Sequence, residues 1–191
     1  MEYRDTFFEL PWLDGLAGKD ATRRIDAEVE VVRHFDELWE KLARYVLSLG
    51  VPSGDVEDIL QEVFLALFGH IMLGKPRTHL RGWVFRVAHN LALKHLRREQ
   101  RLRAKAKSHR QESMLRCDLL PDPEQQLADR QRRKRLFTVF QALAPLDRQC
   151  LFLRFEGLRY REIAETLDIS LGTVANSLAR SIQRLECADR K

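Results

Sequence analysis

The sequence is poor in the residues that most enzyme and metal sites need. It has only three cysteines, Cys117, Cys150 and Cys187, far apart and odd in number. They form no CxxC pair, which excludes a zinc-finger spacing and a disulfide framework and favours a reducing compartment. Nine glycines are scattered without a phosphate-cradling loop. No run approaches the roughly 20 uncharged apolar residues of a membrane span, so no membrane insertion is expected. The first residues, MEYRDTFFELPWLDGL, are acidic where a secretory signal would be basic. The expected location is the cytoplasm.

What is present is charge, unevenly spread. The chain has 191 residues, 32% of them charged, with a formal net charge of +5. Residues 1–70 hold 7 Lys/Arg against 15 Asp/Glu, whereas 81–110 hold 10 Lys/Arg against Glu99 alone. A local excess of nine positive charges is an electrostatic footprint for nucleic acid. A charge block can also be nothing more than a solvated face, so its surroundings decide.

Those surroundings are helical. Residues 55–68 (DVEDILQEVFLALF) place Val56, Ile59, Leu60, Val63, Phe64, Leu67 and Phe68 on one stripe at steps of three and four. Ser53 is positioned to cap this helix, and Asp55, Glu57 and Asp58 suit its positive end. Residues 31–49 read as a preceding amphipathic helix, stopped by Gly50 and Pro52. A loop is expected over 69–81, then a third helix from about Gly82 into the basic segment. No alternating strand pattern occurs, so the fold class is all-α. Apolar periodicity fails between about 100 and 122 and resumes after Pro123. The expected organisation is an extension (1–28), a helical domain (29–100), a charged linker (101–123), a second helical domain (124–187) and a short tail (188–191).

Residues 147–185 carry a helix-turn-helix pattern. The elements are a short helix over 147–155, Gly157, a helix over 160–167, a turn at Asp168, and a third helix capped by Ser170. Asp tolerates the left-handed backbone such a turn needs. With Val174, Leu178, Ile182 and Leu185 assigned to the core, Thr173, Asn176, Ser177, Arg180 and Arg184 are expected to face outward, toward groove and phosphates. The bland alternative is a helical hairpin with a polar outer face.

In the first domain, residues 80–98 (LRGWVFRVAHNLALKHLRR) intermix core residues with Arg81, Trp83, Arg86, Asn90, Lys94, His95, Arg97 and Arg98. An aromatic ring, an amide and cations together suit a single DNA strand, whose bases offer exposed faces and edges. Phe85 reads as core.

At these residues the sequence resembles the extracytoplasmic-function sigma factors of bacterial RNA polymerase, of the sigma-70 family. Residues 55–64 resemble the core-binding helix of region 2, residues 82–98 its melting and −10-recognition segment, and residues 143–185 the −35-reading region 4. The resemblance covers roughly 30–100 and 125–187. It implies that Asp58, Gln61 and Glu62 meet a coiled coil of the largest polymerase subunit. The loop with Lys75 and Arg77 would hold a flipped −10 base, and Asn90, Lys94, Arg97 and Arg98 would read the non-template strand. It implies core RNA polymerase, promoter DNA and an anti-sigma factor as partners, no cofactor and no covalent chemistry. One departure stands out: the family's recognition helix usually reads Gly-Thr-Val-Lys-Ser-Arg-Leu, and here 172–178 read GTVANSL. Ala175 and Ser177 stand where cations are usual, leaving Asn176 as the base-edge candidate.

Two rivals remain. A stand-alone helix-turn-helix regulator accounts for 147–185 but not for the basic segment. An enzyme could use Asp58 and Glu62, four residues apart, or the six histidines, yet no metal-ligand or nucleophile motif accompanies them.

Overall fold

The computed structural model describes residues 21–106 and 127–189. Expectations for the aromatic N-terminal stretch, for Cys117 and for residues 107–123 of the linker fall outside them, whereas 101–106, also expected as linker, are helical. Among the described residues there are seven helices and no strand: α1 (Ala21–Ser48), α2 (Ser53–Met72), α3 (Leu80–Ala106), α4 (Leu127–Gln141), α5 (Pro145–Phe155), α6 (Tyr160–Leu167) and α7 (Leu171–Asp189). The all-α expectation holds.

Helices α1 to α3 form one unit. Leu38, Leu42, Tyr45 and Val46 are buried on α1, at the four- and three-residue steps of one helical face. They meet the α2 stripe, where Val56, Ile59, Leu60, Val63, Phe64 and Leu67 are all buried. Each such side chain contributes roughly 1.5–3 kcal/mol when removed from water, so the stripe is the unit's main source of stability. The α1–α2 turn needs a left-handed backbone at Gly50, where φ is +94°. Helix α1 starts at Ala21, about ten residues before the 31–49 segment expected from periodicity, and passes through position 28. Helix α2 starts at Ser53 itself, with Pro52 at the N-cap position and no side-chain cap bond. The loop is shorter than expected, since α2 persists to Met72 and α3 begins at Leu80. Helix α3 continues through the basic residues to Ala106. A solvated helix needs no apolar stripe to continue when its residues are good helix formers such as Arg, Leu, Lys and Ala.

Helices α4 to α7 form the second unit. Helix α7 lies against α4, α5 and α6, and Leu143, Cys150, Leu153, Leu158, Ile163, Val174 and Leu178 are among the unit's buried apolar residues. Arg132 on α4 forks onto the Asp189 carboxylate at the end of α7, with Nη2 donating to Oδ2 at 2.7 Å.

The two units touch. Tyr45 of α1 lies 5.5 Å from Phe152 of α5, centroid to centroid, and 5.6 Å from Phe85 of α3. Most of the buried apolar residues of both units form one continuous cluster. Behind Tyr45, its hydroxyl shares a 2.9 Å hydrogen bond with His89 Nδ1. Burial, and secondarily the Arg97 charge, lowers the His89 pKa to about 4. His89 is therefore neutral at physiological pH and belongs to the core, with Phe85, rather than to a DNA-facing surface.

Candidate nucleic-acid interface

The helix-turn-helix is built from short-range chemistry. Asp168 closes α6 in the left-handed region, at φ 55° and ψ 48°. The Ser170 hydroxyl accepts from the Thr173 backbone N–H at 3.1 Å, which is the N-cap bond expected for α7. At the other end of α6, the Arg159 N–H donates to the Glu162 carboxylate at 2.7 Å.

The face that α7 buries differs from the expected one. Val174 and Leu178 point inward as expected, but Ile182 is 46% exposed, and Ser177 and Ser181 are fully buried in its place. Ser177 is therefore not a DNA-facing residue: its hydroxyl donates to Asp147 Oδ1 at the start of α5. Arg180 forks over the same carboxylate, with Nη2 at 2.7 Å and Nε at 3.4 Å. A buried carboxylate costs free energy unless it is paired and hydrogen-bonded, and Asp147 has both. Arg180, first among the causes, together with Ser177, holds the Asp147 carboxyl below its usual range. Thr173 is half-buried, whereas Ser170, Asn176 and Arg184 are exposed. Arg180 presents an exposed but tethered guanidinium.

Replacing Asp147 by Asn is expected to remove about 1.5–3 kcal/mol, the scale of hydrogen bonds to a charged group. The sign follows from the depressed pKa. The contribution is fully present above the ordinary carboxylate range and is lost as pH falls through the lowered value. Urea unfolding at pH 7 should show the deficit and unfolding in strong acid should not. Equal stability at pH 7 contradicts the brace.

In the first unit, Asp58, Gln61 and Glu62 are all exposed on one face of α2. Leu65, 53% exposed, lies on that face too. Its spacing of seven from Asp58 puts Leu65 on this face, off the apolar stripe. On α3, Asn90, Lys94, Arg97 and Arg98 are exposed and Arg86 is half-buried. His95 is half-buried and bonded to Asp55 of α2 at 3.2 Å, so it ties two helices together. Trp83 is half-buried, its ring 4.4 Å from His70. Lys75 and Arg77 lie in the exposed loop, with Arg77 Nη1 donating to Glu30 at 2.6 Å. The structure thus brings Trp83 and Arg86 to one cleft and leaves the cations of 94–98 further along the same helix. Beside that cleft stand two acids of the second unit, Glu162 and Glu165.

An acidic α2 face, a basic α3 and a helix-turn-helix thus follow one another along the chain. The Sigma-70 region 2 family matches residues 32–102, and Sigma-70, region 4 matches residues 133–185. The ECF RNA polymerase sigma factor SigE of Mycolicibacterium smegmatis is 30% identical over 192 residues, covering 97% of this chain and 74% of the relative. The ECF RNA polymerase sigma-E factor of Escherichia coli K12 is 26% identical over 162 residues, covering 82% of each. The chain belongs to the extracytoplasmic-function sigma factors, and its role is transcription initiation by RNA polymerase. Two solved structures share the fold. The sigma factor RpoE of Bartonella quintana, bound to the anti-sigma factor NepR, has a TM-score of 0.62 at 18% identity, covering 83% of this chain and 96% of its own. CnrH, bound to the cytosolic domain of CnrY, has a TM-score of 0.54 at 19% identity, covering 87% of this chain and 94% of its own. Among the described residues, no helix is long and apolar enough to cross a membrane.

Proposed function

We propose that the chain divides initiation among three faces. Asp58, Gln61 and Glu62, around the exposed Leu65, dock on a basic element of core polymerase, the acids giving orientation and the leucine an apolar anchor. Trp83, Arg86, Asn90, Lys94, Arg97 and Arg98, with Lys75 and Arg77 from the loop, hold the melted −10 strand. His95 acts there through its bond to Asp55, fixing α3 against α2. Ser170, Thr173, Asn176, Arg180 and Arg184 meet the −35 duplex, with Asn176 the base-reading group. No step requires a covalent bond to form or break.

The observation that supports this reading most is the opposition of charge on neighbouring helices: an acidic exposed α2 face beside an α3 rich in exposed cations. One suits a protein partner and the other a polyanion. The α7 surface adds only two long cations within 172–185, Arg180 and Arg184, and the first is already shared with Asp147. Few phosphate contacts mean weak duplex binding by the free chain. An anti-sigma partner is part of the proposal because RpoE of Bartonella quintana, which shares the fold, is in complex with one.

The test is affinity capture with purified core polymerase, alongside duplex binding by the chain alone. Stable capture by core and weak duplex binding support the reading. Nanomolar sequence-specific duplex binding without polymerase, and no capture, would instead identify a stand-alone regulator.

A further inference from the structure

The loop between α2 and α3, residues 73–79, is held from two sides. On the α1 side, the Glu30 carboxylate accepts from Arg77 Nη1 at 2.6 Å, and Arg33 adds a longer ion pair at 3.8 Å. The Glu30 side chain is only 14% exposed, and a carboxylate so far from water must be held by opposite charge. Ala27, three residues earlier on the same helical face, is fully buried, so this end of α1 is packed. Both residues precede the stretch that matches region 2. On the α2 side, His70 Nε2 lies 2.9 Å from the Pro76 carbonyl oxygen. A carbonyl can only accept, so Nε2 carries the proton and donates it. The His70 carbonyl in turn accepts from the Lys75 N–H at 3.2 Å. The His70 ring also packs on Trp83, 4.4 Å away. Thr78 and His79 of the loop line one cleft with Trp83 and Arg86. His79 holds a left-handed backbone at φ 61°, which a residue other than glycine keeps only where its surroundings impose it.

From this geometry we propose that Glu30 and His70 are positioning residues for −10 recognition. Glu30 acts through Arg77, and His70 acts through Pro76 and Trp83. Together they set the loop and the indole ring at one spacing, ready for an extruded base. The inference rests on the assignment of the loop, Trp83 and Arg86 to the melted strand. Arg77 has five N–H groups and gives one to Glu30, which leaves the others for a phosphate. Fixing so long a side chain in advance lowers the ordering cost when the strand binds. An acid beside a DNA site otherwise works against binding, because it repels a polyanion. Glu30 belongs there if the orientation it imposes outweighs that repulsion.

The sign of one substitution tests this. Glu30→Gln removes a negative charge, so bare electrostatics predicts tighter strand binding and positioning predicts weaker binding. The probe is a fluorescein-labelled single strand, selected by the reconstituted holoenzyme from a random twelve-nucleotide pool and compared with its scrambled sequence. Glu30→Gln should lower the preference for the selected strand about fivefold, the upper end for an ion pair with one exposed partner. Capture by core polymerase should be unchanged. His70→Phe keeps a ring against Trp83 but loses the donor, and it should lower the preference in the same direction. In the full chain, hydrogen exchange over 73–79 should quicken in both variants while exchange over 59–67 of α2 stays as in the parent. In an Arg77→Ala background, Glu30→Gln should have no further effect, because its action passes through that side chain. Where Arg77→Ala lowers the preference, an unchanged or raised value for Glu30→Gln overturns the proposal. Unchanged loop exchange, or an equal further loss in the Arg77→Ala background, overturns it too. If Arg77→Ala and Trp83→Ala both leave the preference intact, the strand assignment of the loop falls, and loop exchange alone decides whether the two residues hold it.

Discussion

Asp58→Arg is expected to weaken binding to core polymerase at least about thirtyfold while leaving the helical fold intact. Asp58 is exposed on α2, outside the apolar stripe that holds the helix against α1, so reversal of its charge leaves that packing untouched. At a close interfacial contact the same reversal sets like charges together, costing on the order of 2–5 kcal/mol, about thirtyfold to several-thousandfold in affinity. Gln61→Ala should weaken binding in the same direction and less, because it removes a neutral contact. Titration of labelled core polymerase, with circular dichroism as the fold control, reads both. Unchanged affinity moves the polymerase-facing surface off this helix.

The second large effect concerns melting. Asn90→Ala, or Lys94→Ala with Arg97→Ala, should reduce open-complex formation far more than polymerase binding. All three side chains are exposed on α3. An amide and two cations suit the edges and backbone of a separated strand, whereas closed duplex shows its edges only in the grooves. Each lost contact should remove about 1–3 kcal/mol, by analogy with base readout. Permanganate footprinting should show reduced thymine reactivity on an ordinary promoter and recovery on a template with a pre-melted −10 bubble. Normal melting combined with lost core binding would place this segment at the polymerase interface.

How much of this could be read from sequence depended on the range of each interaction. The turn at Asp168 and the Ser170 cap were legible because their partners lie within three or four residues. The α2 stripe and the burial of Phe85 were legible because apolar periodicity reports a buried face directly. The orientation of α7 was only half legible. Val174 and Leu178 announce an inward face, but the residues beside them were decided by Asp147, thirty positions earlier than Ser177. That carboxylate draws two serines' side of the helix inward and turns Ile182 toward solvent. His95 reads from sequence as one more DNA-facing residue of the basic segment, and its bond to Asp55, forty residues away, is invisible to any local pattern. Helix α1 begins earlier than the expected 31–49 segment although Ile25 and Val29 repeat in step with Val32, and the fold leaves all three exposed. The contact between the units was the least legible: Glu156 and Arg44 look like ordinary surface charges and Arg81 like one more cation of the DNA-binding segment, until the fold pairs Glu156 with both arginines.

The central claim is that this chain gives core polymerase its promoter choice. The most direct measurement is multi-round transcription in vitro by purified core polymerase on a pool of genomic fragments from the organism that encodes the chain, with and without the protein, read by sequencing transcript 5′ ends. The expected result is a set of starts that appear only with the protein and share upstream elements near −35 and −10, and that disappear with Asp58→Arg. The same starts with and without the protein, or none in either case from a polymerase shown to be active with another sigma factor, would contradict it.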